Sequence, residues 1–163
     1  MKKILSYLTL LLLFVLQTSL GQYIKIFSVM PNLIFAYAII YSMTNSALKS
    51  AVMGCVCGLL TDVSFGETSY VNALLIMYIS LAVSHIYGKH FFENKLVYAG
   101  GVFAGTVVYD ILIIIITAFT SGSLPFLYTF FRFTVPEAFI NSAISLLFLI
   151  YVRWLNNEFV RGI

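Results

Sequence analysis

Residues 96–120 read LVYAGGVFAGTVVYDILIIIITAFT, twenty-five positions in which Asp110 is the single charge. Coiled as a helix at about 1.5 Å of rise per residue, such a run is roughly 37 Å long. The hydrocarbon core of a bilayer is about 30 Å thick and needs about 20 apolar residues to cross. The stretch therefore reads as a membrane span with length to spare. Gly100-Gly101 near its start predict a tilt or a bend.

The rest of the chain has the same character. Of its 163 residues 61% are apolar, 17% aromatic and 9% charged, with a mean hydropathy of +1.02. Soluble domains carry roughly 25% charged residues, so this chain cannot make the polar skin of a soluble fold. Nine Lys/Arg against six Asp/Glu leave a net charge of +3, too weak and scattered for a nucleic-acid footprint.

Five further segments match the first, giving predicted spans at 4–20, 29–44, 48–64, 70–87, 96–120 and 136–155. The fold class expected is all-α and integral to the membrane, a bundle of six transmembrane helices forming one domain over 1–163. Turn chemistry fills the short connections, as in Thr44-Asn45-Ser46 and Ser121-Gly122-Ser123-Leu124-Pro125. Pro31 and Pro136 sit where a first helical turn tolerates proline. The second span is short and predicts local thinning of the bilayer.

Basic residues set the orientation, because cytoplasmic loops carry the excess of Lys and Arg. With the N-terminus inside, that side holds seven (Lys2, Lys3, Lys49, Lys89, Lys95, Arg153 and Arg161), and the other only Lys25 and Arg132. Both termini are predicted cytoplasmic. Met1-Lys2-Lys3, the apolar run after it and Thr18-Ser19-Leu20-Gly21 also read as a secretory signal. The uncleaved helix is preferred, since cleavage would remove a bundle face that includes Ser6, Leu10, Leu13 and Gln17.

In that orientation the polar residues gather in the outer half: Gln17, Asn32, Asp62, Asn72, Glu137 and Asn141, with Asp110 past the midplane. Such groups are costly in the bilayer and usually face the bundle. Gly54, Gly58 and Asp62 are four apart, so a small-residue groove runs into a carboxylate, and Gly101 and Gly105 form a second groove. Asp110 shares a different stripe, with Ala99, Phe103 and Thr106. Glu137, Asn141 and Ser145 form a third. Asn32, Glu67 and Asn72 stand at helix starts and read as caps. For Asp62 and Asp110 two readings stand: interhelical hydrogen bonding, or an outer pocket or partner-docking surface.

The aromatic run 126–133 around Arg132 reads as too short to span. It suits an interface belt with a snorkelling Arg, either a lipid anchor or an outer ledge for another membrane protein. His85 and Lys89 make a cationic helix end at the cytoplasmic side, with His90 beside them. Cys55 and Cys57 point to different sides of a helix and read as packed interior residues. No Walker loop, nucleophile elbow, dinucleotide fingerprint or metal spacing occurs, so no catalytic residue, cofactor or metal is expected. Asp62 and Asp110 formally offer an aspartate pair, but without the motifs that intramembrane proteases display.

Several of these motifs resemble the MreD family of bacterial rod-shape proteins over essentially the whole chain. They are Met30-Pro31-Asn32 entering the second span, Gly54 with Gly58-Leu59-Leu60-Thr61-Asp62 in the third, Asn72-Ala73-Leu74 in the fourth, and Pro136 with Asn141 in the sixth. Where that family often has Asp after the proline, this chain has Asn32. The resemblance implies a non-enzymatic scaffold of the bacterial cytoplasmic membrane. Such proteins bind MreC and help couple the actin-like MreB to peptidoglycan synthesis by the RodA glycosyltransferase and a class B penicillin-binding transpeptidase. The family also resembles, in its six-helix fold, the S components of energy-coupling-factor vitamin transporters. That leaves a substrate-binding transporter subunit as the alternative. S components commonly carry an Ala-x-x-x-Ala patch on the first helix, and 4–20 here has no alanine.

Overall fold

A computed structural model describes residues 2–20, 29–65, 71–87, 95–121 and 126–160, with side-chain surroundings given for 5–19, 29–64, 71–87, 95–120 and 126–152. Lys25, Glu67, Lys89, His90, Arg161 and the connection 122–125 lie outside the described residues. Helices α1 (Lys2–Leu20), α2 (Leu33–Thr44), α3 (Ala47–Phe65), α4 (Val71–Tyr87) and α5 (Lys95–Ser121) are followed by a short α6 (Phe126–Thr129). A π-helical turn (Phe130–Thr134) then leads directly into α7 (Val135–Val160). Counting the continuous run from α6 to α7 once gives the six helical units expected. Three stretches are long and apolar enough to cross a membrane, Ala47–Ser64, Lys95–Thr120 and Phe126–Val152. Leu5–Ser19, Leu33–Thr44 and Val71–Tyr87 are shorter apolar helices.

Helix α2 is the axis of the bundle, in contact with α1, α3, α4, α5 and α7. Its run Ile34 to Ile40 is completely buried, as are Ser42 and Met43. A helix apolar on every face belongs inside, and here its neighbours are protein on all sides. The helix starts at Leu33, not at residue 29, and its 12 residues rise about 18 Å. The non-helical stretch before it, residues 29–32, can add up to about 13 Å. Irregular backbone is tolerated at membrane depth where protein surrounds it.

The sixth unit also differs from expectation. It begins at Phe126, ten residues before the predicted span, and the aromatic run is helical. Pro136 explains the irregular turn ahead of it. Val135 donates its N–H to the carbonyl of Phe130, five residues back, and Pro136 has no N–H to give. Widening to the π pattern accommodates the proline without breaking the helix.

Close packing is concentrated where the sequence has glycine. A Cβ on Gly58 would strike the Cα of Ala73, and one on Gly54 would lie 2.7 Å from Ser80 Cβ and 2.8 Å from the Ile76 carbonyl. The first glycine groove is thus filled by α4. Gly101 lies against Met43 and Tyr87, whereas a Cβ on Gly105 would meet Ile39 as its nearest neighbour, at 3.6 Å or more. Aromatic contacts complete the core: Phe35 with Tyr109 at 4.8 Å and Tyr37 edge-on to Phe148 at 5.8 Å. Helix α1 is tied in by Thr9 to Tyr151 of α7 at 2.6 Å, and by the Tyr37 hydroxyl donating to the Ser6 carbonyl at 3.3 Å.

Candidate functional site

The first four N–H groups of a helix have no partner within it, and α2 exposes its own inside an apolar bundle. Three side chains meet this demand. Asn32 caps its own helix, accepting from Phe35 N at 3.1 Å. Gln17 of α1 accepts from Ile34 N at 3.1 Å. Asn141 of α7 accepts from the backbone N of Asn32 at 2.9 Å. The Asn141 amide also donates to Thr106 Oγ1 and Glu137 Oε1, both at 3.4 Å. One buried asparagine therefore joins α2, α5 and α7.

A second helix start is met in the same way. Both oxygens of Asp62, at the end of α3, accept from α4: Oδ1 from Asn72 N at 3.3 Å and Oδ2 from Ala73 N at 3.0 Å. A carboxylate at a helix N-terminus also complements the helix dipole. Tyr109 of α5 donates to Asn72 Oδ1 at 2.7 Å. Asn32 is a cap as expected. Asn72 is instead the first-turn residue whose backbone Asp62 caps. The glycine groove and the carboxylate at its end act together, since Gly54 and Gly58 bring α4 close enough for Asp62 to reach it.

What remains is a small cavity beside the start of α2, about 290 Å³, lined by Gln17, Val29, Met30, Pro31, Asn32, Tyr109, Asp110, Phe133 and Glu137. Asp110 is hydrogen-bonded by the Thr134 hydroxyl, while its Oδ2 is buried with no hydrogen-bond partner among the described residues. Asp110 and Glu137, predicted on separate stripes, face one cavity because α7 packs against α5, with Phe139 on Phe103 and Ser142 donating to the Ala99 carbonyl. No cation stands among its lining residues. Arg132 is exposed and borders a different groove, with Phe131, Val135, Pro136, Phe139 and Ile140.

Three residues of this network were not singled out from sequence: Tyr109, Thr134 and Thr106 as a hydrogen-bond partner. Thr106 lies four before Asp110 and Thr134 three before Glu137, spacings that put each pair on one helix face. Tyr109 gave no such signal. His85 is exposed, its Nδ1 3.1 Å from the Leu81 carbonyl of its own helix. Cys55 is half-buried and Cys57 buried, and no group of three or more metal-ligating side chains occurs among the described residues.

No curated protein and no solved structure matches this chain. The family model described as rod shape-determining protein MreD matches residues 1–159. That match takes in every helix of the bundle, and with it both capped helix starts. By that full-length match, the chain belongs to the MreD family of membrane-associated rod shape-determining proteins.

Proposed function

We propose that this protein is a membrane scaffold of the cell-elongation system. It crosses the bacterial cytoplasmic membrane six times with both termini inside, and it binds MreC. Through MreC it helps couple cytoskeletal MreB to peptidoglycan synthesis by RodA and a class B penicillin-binding transpeptidase. The observation that carries this reading is the use made of the polar residues. Gln17, Asn32, Asp62 and Asn141 all accept from helix-start amides, so they fix helix positions. A protein whose costly polar groups maintain its shape works by presenting helix faces and not by chemistry. The outer ledge at 126–133, with Leu127, Tyr128 and Phe131 exposed, is the face assigned to the extracytoplasmic partner.

Crosslinked co-purification from native membranes, read by mass spectrometry, tests the proposal. Recovery of MreC with the two synthases is expected. Recovery of an ATPase-coupled transmembrane partner instead would favour the second reading, a substrate-binding subunit like the S components of vitamin transporters. One observation favours that reading: the cavity beside α2 with the unpartnered Asp110 oxygen. Its volume is at the lower margin of small-molecule pockets, which run from about 300 to 1,000 Å³. A vitamin that strongly raised the melting temperature of the purified protein would decide for the transporter.

A further inference from the structure

The groove bordered by Arg132 takes no part in helix capping. It measures about 440 Å³, and all its other lining residues are apolar: Phe131, Val135, Pro136, Phe139 and Ile140. The π turn Phe130–Thr134 forms one edge of it, with Thr134 buried and Arg132 exposed. Arg132 pairs with no acidic side chain among the described residues. Asp110 and Glu137 line the other cavity.

We infer that this groove binds one anionic phospholipid, with the phosphate on the Arg132 guanidinium and an acyl chain along the five apolar residues. Three features argue for a lipid. The groove is cut into an apolar stretch, Phe126–Val152, and its Phe139 wall, beyond the ledge at 126–133, is exposed, so in a membrane it opens onto lipid beside the partner face. Arg132 is within about two helical turns of the start of that stretch, close enough to reach the headgroup level along its own aliphatic stem. A guanidinium presents paired donors that match a phosphate. A phospholipid supplies that anion and an apolar chain in one molecule, at the depth where it is the solvent. The volume falls within the range of ligand sites, about 300–1,000 Å³.

The test is a native mass-spectrometric titration of the full chain in mild detergent, using phosphatidylglycerol and phosphatidylcholine with identical acyl chains. The wild type is expected to prefer phosphatidylglycerol. Arg132→Ala should lose about fivefold in phosphatidylglycerol affinity, the effect of one basic side chain at an anionic membrane surface, with phosphatidylcholine unaffected. Arg132→Lys should keep part of the preference, and Val135→Trp should weaken both lipids by filling the groove. Arg132 is exposed, so an unchanged melting temperature is expected for its variants and serves as the folding control. Equal binding of both lipids by the wild type would overturn the inference, as would a preference that survives Arg132→Ala. Crosslinking of this groove to an acidic helix of another protein, without lipid preference, would overturn it as well.

Discussion

Replacing Gly58 by alanine adds one methyl group where α3 runs closest to α4. The new carbon would meet Ala73 Cα, and the Ala73 backbone nitrogen at 2.7 Å, where non-bonded atoms in ordinary contact lie about 3.5–4.0 Å apart. Backbone cannot rotate away, so α4 must retreat by the better part of an ångström. Overpacking of this kind costs about 1–3 kcal/mol. The same retreat stretches the two bonds from α4 to Asp62, one turn further along α3, now 3.3 and 3.0 Å. Hydrogen bonds to charged groups contribute about 1.5–3 kcal/mol each, so partial loss brings the expected total to roughly 2–4 kcal/mol. Alanine's better helix propensity offsets little, because separated spans stay helical. Cys57 is buried on α3, so in a Cys55→Ser background its alkylation by a maleimide reports opening as sodium dodecyl sulfate is titrated in. Gly105→Ala is the control, since its methyl group would find Ile39 at 3.6–3.9 Å, and a change within about 0.5 kcal/mol is expected. The double variant Gly58→Ala/Asp62→Ala should be less than additive by at least about 0.5 kcal/mol. An additive cycle, or a Gly58→Ala protein as stable as its parent, would refute the coupling of groove and cap.

Four further outcomes are expected. Asn141→Leu strands the Asn32 amide and cuts the tie to Thr106, a loss of about 2–4 kcal/mol in the same unfolding titration. Gln17→Leu should cost less, about 1–2 kcal/mol, because only the Ile34 amide is orphaned. The Ser80 hydroxyl is buried against Gly54 without a partner among the described residues, so Ser80→Ala should be neutral or stabilising by up to about 1 kcal/mol. Asp110→Asn should change capture of MreC or cell shape if the cavity serves the partner; unchanged partner capture, ligand binding and cell morphology would assign this residue a purely structural part.

Much of the fold is legible from composition, because a spanning helix must be apolar over a known length whatever its neighbours. Asn32 was readable as a cap from its place at a helix start, and the four-residue spacing of Gly54, Gly58 and Asp62 put them on one face. The identity of what fills that face was not legible, since spacing along α3 says nothing of which helix packs there. The central place of α2 was hidden for a similar reason: lipid and protein neighbours both select apolar residues. Pro136 misplaced the last helix by suggesting a helix start, when a π turn absorbs the proline and the helical run reaches back to Phe126. Asp110 and Glu137 were found individually but assigned to separate stripes. The packing of α7 on α5 brings them to one cavity, and spacing along either helix does not reveal it.

The caged α2 has a consequence for how the chain is made. With 12 residues it is shorter than an insertion machinery accepts as an independent span, about 17–25 residues. Among the described residues, its starting amides are satisfied by Gln17 of α1, Asn141 of α7 and its own cap. The last of these acceptors, Asn141, is synthesised 109 residues after Asn32. Until then α2 must be sheltered by α1 and by α3, the latter following it after two residues, Asn45 and Ser46. Biogenesis is thus non-sequential. The innermost helix is translated second, yet it gains its final fastening from the last helix, so any truncation that removes α7 should leave α2 exposed to quality-control proteolysis.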